Sequence, residues 1–241
     1  MFFVAIVCLA ISSVQAQGLK GLLNKAKNTV TGGNKTEASK GKDDKKTEHT
    51  VAKPLAPEVK NTVSEIRTLT GLTKENFEKK AKSLGYSVSA DQTGLYGGGT
   101  VYKSSSKGVL SVKMGTRGKD LLTREVTKYT YNKKADVSAM KGTLLNVEKQ
   151  CTDLKAEFKD ASLTEQGKMF GGVNAKNPEA RTSKFLPALD KMISEKKDFF
   201  VRDEYTEPDY TYRTLFFYIK ADASAMLQLT VVDNTIESQE G

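Results

Sequence analysis

The chain opens on an unbroken apolar run from Phe2 to Ile11. At ten residues it is well short of the roughly 20 that a helix needs to cross a bilayer. Ser12-Ser13 and the small-residue pattern Val14-Gln15-Ala16 follow, which suits signal-peptidase cleavage after Ala16. Residues 1–16 therefore read as an export signal, although no Lys or Arg precedes the apolar core. After residue 57 the pattern becomes periodic. Val59, Val63, Ile66 and Leu69 mark one face of a first short helix. A second is better signed: Thr73 is placed as N-cap, Leu72 and Phe77 form a hydrophobic staple, and Phe77, Ala81 and Leu84 share a face. Gly85 then sits where a left-handed C-cap is required.

Strand patterns come next, at about 86–90, 100–104, 109–114 and 124–132, with β-branched and aromatic residues such as Val126, Tyr129 and Tyr131. Gly97-Gly98-Gly99 lies among these segments and not between a strand and a helix. It reads as a loop or bulge, not as a phosphate cradle. Val137, Met140, Leu144, Val147, Cys151, Leu154 and Phe158 then recur at alternating spacings of three and four. This predicts one long helix, with an apolar seam over about six turns, packed on a sheet. A further helix is predicted with Ser183 as cap, Pro187 in its first turn and Phe185, Leu189, Met192 and Ile193 on one face. Three strands close the chain, at about 199–206, 210–220 and 225–232.

Helices grouped between runs of strands predict an α+β fold, with helix pairs packed on antiparallel sheet. The order suggests two tandem α-α-β-β-β halves, 57–134 and 135–241. In this order of elements the chain resembles small periplasmic modules in which a helical pair covers a sheet, including tandem forms such as the β-lactamase-inhibitor protein fold. No residue role follows from that resemblance.

Composition separates a tail from the body. Residues 17–56 hold nine lysines against four acids and no aromatic residue, so they account for more than half of the net charge of +9. Such a stretch buries too little apolar area to offset its ordering entropy, and it reads as a largely disordered linker. Within it, Leu19, Leu22, Leu23, Ala26 and Val30 recur at helical spacing beside Lys20, Lys25 and Lys27. That pattern has two readings: a short basic helix in weak contact with anionic membrane, or a frayed remnant of the export segment. Because the charge sits in the tail, and the body lacks basic runs with interleaved aromatics, nucleic acid is not an expected partner. The Ala16-Gln17-Gly18 junction resembles those of exported proteins of Gram-negative bacteria, and the expected location is the periplasm, the cell surface or the extracellular space.

The chemistry on offer is sparse. The single histidine, His49, lies in the tail, and without Cys8 only Cys151 remains, so no internal disulfide is expected. No cofactor, metal or catalytic residue is called for. Asp203, Glu204, Glu207 and Asp209 surround Pro208 at a predicted hairpin, and two such carboxylates at 5–9 Å could hydrolyse a glycosidic bond. Tyr210, Tyr212, Phe216 and Tyr218 alternate with Leu215, Phe217 and Ile219. If the aliphatic set faces the helices, the tyrosines are left on a surface with Arg202 and Arg213, a composition common at interfaces. The expected function is thus non-enzymatic binding of a protein or envelope ligand through Tyr210, Tyr212, Arg213 and Arg202. The rival expectations are a carboxylate hydrolase and a structural envelope protein tethered by its tail. The alternative for the tyrosines is burial on both sides of the sheet.

Export is checked directly. Intact-mass measurement on protein secreted by a Gram-negative host should give a chain that starts at Gln17, and retention of residues 1–16 would overturn that expectation.

Overall fold

The computed structural model describes residues 62–89, 99–132, 135–165 and 172–239. The predicted export segment and the basic tail lie outside them, as does His49. Two helices open the described chain, α1 (Thr62–Arg67) and α2 (Lys74–Ser83). Four strands follow: β1 (Ser87–Val88), β2 (Thr100–Ser104), β3 (Gly108–Arg117) and β4 (Asp120–Asn132). A 3-10 turn (Val137–Ala139) leads into α3 (Met140–Asp153), then β5 (Glu157–Glu165) and β6 (Val173–Ala175). Pro178–Ala180, a π-helical turn at Arg181–Phe185 and Leu186–Ser194 run on without a break and are together α4. The chain closes with β7 (Phe199–Glu207), β8 (Tyr210–Ile219), β9 (Ser224–Asp233) and β10 (Glu237–Ser238).

The ten strands form one antiparallel sheet in the order β1-β2-β3-β4-β9-β8-β7-β5-β6, with β10 on the far end of β3. The α+β class predicted from the pattern is the class observed. The division into halves is modified in two ways. The sheet is continuous across 134/135, because β4 pairs with β9. In the second half β5 and β6 stand between the helices, so its order is not α-α-β-β-β.

Registers place the core on one face. Val112, Val126, Val231, Tyr212, Tyr205 and Phe158 lie side by side across β3, β4, β9, β8, β7 and β5. Leu227, Phe216, Val201, Leu163 and Val173 form another row on the same face. These rows join one buried cluster with Val63, Ile66 and Leu69 of α1, Phe77 and Ala81 of α2, and Met140, Leu144, Val147 and Cys151 of α3, together with Phe185 and Leu189 of α4. All four helices thus cover the same face of the sheet.

Helix ends show where pattern reading succeeds and where it fails. Thr73 accepts a hydrogen bond from the Asn76 amide, as an N-cap should. Gly85, at φ +87°, closes α2 in a Schellman motif. Its amide donates to the Lys82 carbonyl at 2.9 Å, and the Tyr86 amide donates to the Ala81 carbonyl at 2.9 Å. The same motif ends α3, but Lys155 holds the left-handed position at φ +63°. Its amide reaches Thr152, and that of Ala156 reaches Cys151. The predicted six-turn seam therefore stops at Asp153, and Phe158 belongs to β5. No glycine or proline marks this end, and Phe158 happens to continue the helical spacing. Helix α4 also differs from expectation. Its cap is Asn177, whose side chain accepts from the Ala180 amide at 2.8 Å, with Pro178 at the first helical position. Ser183 instead donates to the Glu179 carbonyl within the helix. Pro187 cannot donate to a carbonyl one turn back, and the π-helical turn just before it is where the ladder is already interrupted.

Two substitutions test this account with opposite signs. Leu144→Ala, at a position 1% exposed, should lower unfolding free energy by about 2–5 kcal/mol in urea titration. Lys155→Gly should raise it by about 0.5–1 kcal/mol, since only glycine occupies the left-handed region without a steric cost.

Candidate functional site

The β7–β8 hairpin, singled out from sequence, is built by the pair Glu207–Tyr210 across Pro208-Asp209. Its faces are the reverse of the arrangement in which Leu215, Phe217 and Ile219 meet the helices, and the burial alternative holds for Tyr212 and Tyr218. Tyr212, Phe216 and Tyr218 are buried on the helix side, while Arg213, Leu215, Phe217 and Ile219 lie on the other. Tyr212 is 0% exposed and its hydroxyl donates to Glu207, so it is unavailable to a partner. Tyr210 is half-buried and stacked on Tyr212, and Arg67 of α1 lies over its ring at 4.3 Å. The reversal has a simple cause. Both alternating sets on β8 are large and apolar, so periodicity defines two faces without saying which one meets the helices. Tyr212 is therefore closed to a partner, while Tyr210 keeps part of its surface exposed. Arg213 and Arg202 do stand on the outer face, where both approach Glu204, at 2.9 and 3.6 Å.

The acidic cluster is likewise dispersed. Strand alternation sends Asp203 to the helix side and Glu204 to the outer side. Asp203 and Glu207 share a face but are four residues apart, about 13 Å along a strand, which is too far for a glycosidase pair. Each is already engaged: Glu207 pairs with Arg67 at 3.0 Å, and Asp203 accepts two hydrogen bonds from Arg181, both 3.0 Å. Asp209 contributes its carbonyl, which accepts from the Asn234 amide at 2.8 Å. Among the described residues no three His, Cys, Asp or Glu side chains converge as a metal site.

The buried pair was not anticipated. Arg181 is 2% exposed and Asp203 1%. The guanidinium also lies 5.2 Å from the ring centres of both Phe158 and Phe185, and its Nε approaches Glu148 at 3.4 Å. Burial pushes the Asp203 carboxyl up, and the charge and hydrogen bonds of Arg181 only partly pull it back. For Arg181 burial opposes the charge, but Asp203, Tyr205 and Glu148 outweigh it and the pKa is raised. Around the pair lie Tyr205 and Cys151. Burial, reinforced by Asp203, raises the Tyr205 phenol. Burial first, then Asp203, Glu148 and Glu207, push the Cys151 thiol up to about 12. A thiol held protonated in this way is a packing group and not a nucleophile.

The outer face carries a second apolar row, partly buried. Phe200, Phe217, Met226 and Tyr131 are cross-strand neighbours on β7, β8, β9 and β4. Phe200 and Phe217 meet edge to face at 4.6 Å; Phe217 is 7% exposed and Tyr131 45%. The adjacent row is Arg202, Leu215, Gln228, Tyr129 and Val109. No described helix packs on these residues, and none of them enters the buried helix–sheet cluster. The sequence signals this set, since Leu215, Phe217 and Ile219 share a period, but periodicity leaves its side of the sheet open. Among the described residues no helix is long and apolar enough to cross a membrane.

Two measurements test these assignments. Asp203→Asn should cost about 3–5 kcal/mol in chemical unfolding because it leaves a buried guanidinium without its counter-charge; Arg181→Met combined with Asp203→Leu should recover most of that loss. A second test uses alkali. Burial, then Glu78, pushes the Tyr102 phenol up to about 12 from an ordinary 10.0, and Tyr86, Tyr205, Tyr212 and Tyr218 are raised as well. Below pH 10 both states keep these phenol protons. Above it the unfolded chain releases protons that the folded chain retains, so stability falls as pH rises. The tyrosinate absorbance of these five phenols should therefore appear together with loss of near-ultraviolet circular dichroism, and not ahead of it.

No protein-family model matches the chain, and no curated protein or solved structure matches it.

Proposed function

We propose that the protein is an exported, non-enzymatic binding protein that holds a protein partner of the cell envelope on the outer face of its sheet. The observation that carries this reading is the row Phe200–Phe217–Met226–Tyr131, an aromatic and apolar strip across four strands on the face opposite every described helix. Arg202 and Arg213, 53% and 46% exposed, flank it with Glu204 between them. Aromatic rings beside arginine are enriched where protein surfaces meet, and a strip bounded by charge gives both burial and orientation. The apolar segment Phe2–Ile11 supports the exported placement. The binding face is thus moved from Tyr210 and Tyr212 to the opposite side of the same hairpin, and Arg202 and Arg213 are retained.

The test uses exposed positions so that folding is spared. Tyr131→Lys combined with Arg202→Glu should reduce co-sedimentation with an envelope fraction of the source cells at least tenfold. Its melting temperature should stay within a few degrees, because surface changes rarely exceed about 0.5 kcal/mol. Leu145→Lys, on exposed α3 and 41% accessible, should leave co-sedimentation unchanged. Loss of binding in the α3 variant alone would move the site to the helical layer and overturn the proposal.

A further inference from the structure

We draw no further inference here: the strongest candidate, the apolar strip of Phe200, Phe217, Met226 and Tyr131 on the outer face of the sheet, already carries the proposed function, and nothing in the structure shows what covers it.

Discussion

A carboxylate in the middle of an apolar sheet face constrains everything packed above it. Asp203 lies in the row Leu110, Lys128, Leu229, Thr214, Asp203 and Ala161, under the helices. It cannot be left alone there, because an unpaired buried charge costs several kcal/mol even after relaxation. Arg181 supplies the counter-charge from the first residue of the π-helical turn in α4. Phe158 and Phe185 close on the guanidinium. The position of α4 over β5 and β7 is therefore set by a geometric requirement, two parallel hydrogen bonds, as well as by non-directional apolar burial.

A weaker version of the same device docks α1. This helix has only six residues, too few to be stable alone. Glu65 reaches Lys128 at 3.8 Å and Lys107 at 3.7 Å, while Arg67 takes Glu207 and the face of Tyr210. The Val63 amide, which has no partner within its own helix turn, donates to Gln150 of α3 at 3.0 Å. These contacts are partly exposed and individually modest. Together they fix the helix's rotation, which Val63, Ile66 and Leu69 alone would define loosely.

Much of this architecture was legible in the chain because strands and helices differ in period. The strands at 100–104 and 199–206, and the whole of α2 with its Thr73 and Gly85 caps, followed from local pattern. What was illegible was tertiary in origin. Lys155 and Lys196 sit at left-handed helix ends, a position that sequence advertises only when glycine holds it. β5 went unpredicted, and its Phe158 continued the α3 seam because it falls in helical phase. The orientation of β8 could not be read because both its faces are apolar: one is core and the other is the outer strip. Asp203 was visible as an acid near a turn, but its partner Arg181 lies 22 positions away. No rule of spacing links the two.

The pairing of β4 with β9 bears on how this chain folds in time. Thr127 and Thr230 touch across the sheet although 103 positions separate them. Strand β9 is synthesised long after β4, yet it occupies a central place between β4 and β8. Until it arrives, β4 and β8 each present an unpaired edge, and the core rows have a gap through their middle. Closing so long a loop is entropically costly and slow relative to local helix formation. The native sheet can therefore form only after β9 has been released, and in the interval the exposed edges are the points most open to mispairing with other chains.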